Sequence, residues 1–107
     1  MTKKQITESF LGKMKQRYPR CATTFFEVNG DGFASVSFAV ERKVIQLDVD
    51  YDAPKYHGYD AVDIIDKKTG KVLFQKTASY PGARLDLAGL LNLAEKAFDE
   101  IIKKGRI

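Results

Sequence analysis

The sequence predicts an α+β domain of two layers: a helix, five antiparallel strands and a second helix, with both helices on one sheet face. Three observations lead there. Both ends of the chain repeat apolar residues at the helical period, and the stretch between them repeats at the period of two that suits strands. That middle stretch is also cut by turns rich in Gly, Asn and Asp. Two amphipathic helices and a one-sided sheet bury one another's apolar surfaces in two layers. The 107 residues are enough for a single domain, 1–107, with a core that needs neither disulfide nor metal.

The C-terminal helix carries the clearest pattern. Stepping about 100° per residue from Leu87 brings Leu90, Leu91, Ala94, Phe98, Ile101 and Ile102 within roughly 60° of it. Asn92, Lys96, Asp99 and Lys103 fall opposite. Asp86 stands where an N-cap belongs, Pro81 and Gly82 precede it, and Gly105 follows as a C-terminal stop. Leu93 lies about 120° off the stripe and is expected to widen the buried face or to meet another chain.

At the other end, Thr2 and Gln5 match a capping box. Ile6, Phe10, Met14 and Tyr18 then share one helical face with Leu11 beside them, and Pro19 stops the helix. Lys13 and Arg17 flank the stripe.

From Ala22 the period becomes two. Thr24, Phe26 and Val28 alternate with Phe25 and Glu27, and Asn29-Gly30-Asp31-Gly32 supplies a hairpin. The inward set of the second strand is Ala34, Val36, Phe38 and Val40, and Glu41-Arg42-Lys43 turns the chain. Ile45, Leu47, Val49 and Tyr51 form the inward set of the third strand, against Gln46, Asp48 and Asp50. Asp52 to Asp60 reads as loop because of Pro54 and Gly58. A fourth strand spans 61–66, Asp66 to Gly70 makes a tight turn, and a fifth strand spans 72–77. The open sheet face is expected to show Phe25, Glu27, Ser35, Ser37, Gln46, Asp48, Asp50, Asp63, Ile65, Leu73 and Gln75. Pattern alone leaves the strand order undetermined.

The net charge of +4 conceals a segregation. Residues 1–20 hold six Lys/Arg against one Glu, residues 21–66 hold three against nine Asp/Glu, and residues 67–76 hold four lysines and no acid. Such asymmetry bears on partners and steering, not on fold. Cys21 is the single cysteine, which excludes an internal disulfide and a cysteine metal cluster within one chain. With no secretory h-region and no apolar run of spanning length, a cytoplasmic protein without membrane contact is expected.

Three groups of residues are candidates for function. In the first, Tyr51, Lys55, Tyr56, His57 and Tyr59 crowd one loop, and tyrosine suits binding because it buries area at little entropic cost. The second is acidic: Asp48, Asp50, Asp52, Asp60 and Asp63, read as a solvated strand face rather than a calcium loop, since the central Gly and final Glu of such a loop are missing. The third is basic: Lys3, Lys4, Lys13, Lys15, Arg17 and Arg20 on or after the first helix, with Lys67, Lys68 and Lys71 in the late turn, a set able to track phosphates.

Two resemblances touch these groups. Asp50 or Asp52 followed by Asp66-Lys67-Lys68 is similar to the carboxylate and lysine pattern of restriction-type nucleases, which implies metal-activated hydrolysis. Turn chemistry accounts for the same residues. Gly70 to Leu73 and Leu93 to Phe98 resemble the last strand and helix of double-stranded-RNA-binding domains. The phosphate-binding lysines of that family are replaced here by Arg84-Leu85-Asp86-Leu87, so the resemblance carries no assignment.

The expected function is therefore binding without catalysis, with no cofactor and no metal. The expected partner is a protein or nucleoprotein, met through the Tyr-rich loop or the open sheet face. An accessory or inhibitory subunit from a mobile element fits the small size and lack of motifs. The alternative is a nucleic-acid binder using the basic helix, and the remote one is a metal-dependent nuclease-like enzyme.

Overall fold

The computed structural model describes residues 3–28, 33–40, 45–51, 59–79 and 86–104. The elements are α1 (Lys3–Arg17), β1 (Cys21–Val28), β2 (Phe33–Val40), β3 (Ile45–Tyr51), β4 (Tyr59–Asp66), β5 (Val72–Ser79) and α2 (Leu87–Lys104). The strands form one antiparallel meander in the order β1-β2-β3-β4-β5. Each strand thus pairs with its neighbour in sequence, the simplest solution for short connections.

The cleanest sequence pattern folds as read. In β3, Leu47, Val49 and Tyr51 are buried while Gln46, Asp48 and Asp50 are not. Across the sheet, Leu47 stands between Phe38 and Ile64, and Val49 between Val36 and Val62. These rows form the floor of the core. α2 lies over β4, β5 and β3 and beside α1. Its Leu87, Leu90, Leu91, Ala94 and Phe98 join Phe10 and Met14 of α1 in a single cluster with the floor. Tyr18, Phe38 and Phe98 meet edge to face, with ring centroids 5.4–6.3 Å apart, a geometry that adds to area burial because ring edges are positive and faces negative. No described helix is long and apolar enough to cross a membrane.

Local chemistry sets the element ends. Asp86 caps α2, its Oδ1 accepting the Gly89 N–H at 2.8 Å, which satisfies an orphan donor of the first turn. In the turn after β4, Gly70 adopts φ +77° and its N–H donates to the Asp66 carbonyl at 2.7 Å. The Asp66 side chain takes the Lys68 N–H at 2.9 Å. A residue with a side chain would strain at that φ, so glycine belongs there. Thr2, the Asn29–Gly32 and Glu41–Lys43 turns, Pro81, Gly82 and Gly105 lie outside the described residues.

β1 departs from expectation. Thr24 pairs with Ser37 and is exposed, whereas Cys21 pairs with Val40 and packs against the core. The register sets Phe25 opposite Val36 and Glu27 opposite Ala34. The phase of this strand is therefore the reverse of Thr24, Phe26 and Val28 inward. With phenylalanine at both 25 and 26, alternation gives no preference, and a one-residue change of phase exchanges the two faces. β4 and β5 also begin or end two residues beyond the predicted limits, at Tyr59 and Ser79.

Candidate protein-binding face

The helices cover one side of the sheet. Three aspartates stand on the other. Asp48 in β3 is directly opposite Asp63 in β4, and Asp50 is one same-face step along β3, opposite Ala61. Among the described residues, none of the three belongs to an ion pair. The only described cationic strand residue, Lys76, pairs with Val62 and so stands on the helix-covered side. Like charges placed directly across two strands destabilise them.

Neutral neighbours hold part of this charge in place. Asp48 Oδ1 accepts the Ser37 hydroxyl at 2.7 Å and the Gln46 amide at 2.8 Å. Asp63 is half-buried, and its Oδ1 is shielded from solvent with no hydrogen-bond partner among the described residues. Burial first, and then the negative charges of Asp50 and Asp48, hold its carboxyl above the ordinary aspartate range, against a contact with Gln75 that lowers it. Toward the β4–β5 turn the same side becomes apolar. Half-buried Ile65 is paired with exposed Val72, and Leu73 is the extra residue of a bulge.

The carboxylates of α2 are treated in the opposite way. Arg17 reaches across from α1 and donates to Glu95 at 2.6 Å and to both oxygens of Asp99 at 2.7 and 2.8 Å. Lys13 lies 3.7 Å from Glu95. The Tyr18 hydroxyl donates to Asp99 at 2.5 Å. Burial and then that hydrogen bond push the Tyr18 phenol up to about 12. The contact to Asp99, ahead of that to Glu95, holds Arg17 still more firmly in its charged form.

The predicted site residues distribute as follows. Tyr51 is buried at the end of β3 within the core cluster. Lys55, Tyr56 and His57 lie outside the described residues, and Tyr59 is placed by its backbone opposite Ser79. Of the basic set, Lys3 pairs with Asp60 at 2.9 Å, and Lys13 and Arg17 face α2. Lys4, Lys15, Arg20, Lys67, Lys68 and Lys71 are exposed. Asp66, central to the nuclease pattern, is spent on its own turn. Among the described residues, no group of three or more His, Cys, Asp or Glu is placed to hold a metal ion.

Asp60, counted in the sequence with the solvated acidic set, is instead 0% exposed on the helix-covered side, and among the described residues its Oδ2 has no partner; the hydroxyl of buried Thr7, which the sequence did not single out, has none either. The alternation of Val62 and Ile64, extended backward by two residues, points to Asp60 as an inward position. No protein-family model matches this chain, and neither curated proteins nor solved structures include a match to it.

Proposed function

We propose that this protein is a non-catalytic binding domain that receives a positively charged protein partner on its open sheet face. The observation that carries this reading is the Asp48–Asp63 opposition, with Asp50 beside it and no described cation on that face of the strands. A fold gains nothing from like charges set across two strands. A cationic partner turns the same repulsion into attraction and steers its own approach. The neighbouring Ile65, Val72 and Leu73 add apolar area of the kind that desolvates such contacts. The basic-helix reading has less behind it, because Lys3, Lys13 and Arg17 already face carboxylates of the same chain.

The test is capture from nuclease-treated lysate with the intact protein and with an Asp48→Asn/Asp63→Asn variant. The expected result is a basic protein retained by the first and lost from the second, with both baits equally folded. Recovery of the same proteins by both baits would refute the assignment.

A further inference from the structure

The cations that the fold does not use gather at one end of the molecule. Cys21 pairs with Val40 and Ile45 with Asp66, so these four residues mark one end of the sheet. Arg20 stands just before β1 at this end, and the turn carrying Lys67, Lys68 and Lys71 leaves β4 there. The helices point the same way. Ile6 and Phe10 of α1 lie beside Ala88 and Leu91 of α2, and Arg17 lies beside Glu95 and Asp99, so the two run in one direction. α1 starts with Lys3 on Asp60, at the other end of β4. Phe98 of α2 meets Phe38, which precedes Val40 by two residues. From there α2 continues about 8 Å to Lys103 and Lys104, while β2 has roughly 7 Å left to run. Arg20, Lys67, Lys68, Lys71, Lys103 and Lys104 are all exposed, and none belongs to an ion pair among the described residues. Of the described carboxylates nearby, Asp66 holds its own turn and Asp99 is met by Arg17, which leaves Glu100. Lys103 and Lys104 also suit the negative end of the α2 dipole. The side chains of Arg20, Lys67, Lys68 and Lys71 have no such local use.

We propose that this end of the molecule is a second binding site, which takes the phosphate backbone of a nucleic acid without reading its sequence. Five strands about 4.8 Å apart make the end about 19 Å wide. That width matches about five successive phosphates of one duplex strand. Lysine is a point charge on a flexible stem, suited to phosphate oxygens, and phosphate contacts carry no sequence information. The tip of the turn, Lys67-Lys68-Thr69-Gly70, holds no apolar side chain to enter a bilayer, so the phosphate polymer is favoured over an anionic membrane. The site is separate from the acidic face, whose aspartates stand along β3 and β4 on the open side of the sheet.

Fluorescence anisotropy over a salt series, with a labelled DNA duplex of arbitrary sequence and an RNA duplex of equal length, tests this. The expected result is saturable binding that weakens as salt rises and is unchanged when the sequence is scrambled. Binding to either polymer supports the proposal, and the tighter one names the ligand. Lys67→Gln/Lys68→Gln/Lys71→Gln should weaken binding by about tenfold or more and reduce the slope of log K against log salt by about 3, close to one per phosphate contact. Lys103→Gln/Lys104→Gln should reduce that slope by about 2. Lys4→Gln/Lys76→Gln, which removes lysines away from this end, should leave the slope unchanged. No binding to either duplex at low salt would overturn the proposal. So would equal losses in all three variants, since net charge alone would then be the cause. Attachment to vesicles of anionic lipid, with none to nucleic acid, would also overturn it. Asp48→Asn/Asp63→Asn should leave this binding intact, so failure here and failure of the acidic face are read separately.

Discussion

Two groups of surface carboxylates sit on opposite sides of this molecule and are handled in opposite ways. Glu95 and Asp99 on α2 are met by Arg17, Lys13 and the Tyr18 hydroxyl. Among the described residues, Asp48, Asp50 and Asp63 on the sheet have only amide and hydroxyl neighbours and one another. The first group ties one helix to the other and makes structural sense inside a single chain. The second costs the chain stability. That contrast separates charge used to build the fold from the charge to which we assign the proposed binding role.

Breaking the contrast at its most buried point should have the largest effect. Asp60 is a third kind of carboxylate, fully buried and met by Lys3. Lys3→Met leaves that carboxylate without its cation, and urea unfolding should register a loss of about 3 kcal/mol. Asp99→Ala comes next. It leaves the Tyr18 hydroxyl without its acceptor and Arg17 with Glu95 alone, at a partly exposed site, so a loss of about 1 kcal/mol is expected, against almost none for Lys103→Ala on the exposed side of the same helix.

Tyr18 gives the comparison a pH dependence. Its phenol is raised from 10.0 to about 12, so the folded state holds this proton more tightly than the unfolded chain. The stabilisation is complete below the unfolded value and is lost as pH rises through the folded one. Melting curves between pH 8 and pH 12 should therefore fall more steeply for the intact protein than for Tyr18→Phe.

The smallest effect is expected to have the opposite sign. The Asp63 carboxyl is raised, so it destabilises the fold at neutral pH, and this cost is relieved as pH falls through the raised value. Asp63→Asn should raise the melting temperature slightly, by less than about 1 kcal/mol of stability, and should flatten the dependence of stability on pH on the acid side of neutrality.

Much of this was legible in the chain. α2 and β3 each carry one apolar face and one polar face, so periodicity alone placed Leu87 to Phe98 and Leu47 to Tyr51 against the core. Asp66 to Gly70 announced a turn through residue types that tolerate its backbone. β1 was not legible in phase, because adjacent Phe25 and Phe26 satisfy either face. Asp60 read as loop because an aspartate is a poor guess for a core position unless a distant Lys3 is known to meet it. The Asp48–Asp63 opposition required the β3–β4 register, which depends on how residues 52–58 span the gap. Each aspartate taken singly was an ordinary polar strand residue. Tyr51 was read both as the last inward residue of β3 and as part of the tyrosine-rich loop, and the first reading is the one its packing in the core agrees with.

The most direct test of the acidic face measures stability and partner capture on one protein, Asp48→Asn/Asp63→Asn. The account predicts a melting temperature equal to or above that of the intact chain, together with loss of the captured basic protein. A lower melting temperature with capture unchanged would contradict it, and would make these aspartates part of the scaffold.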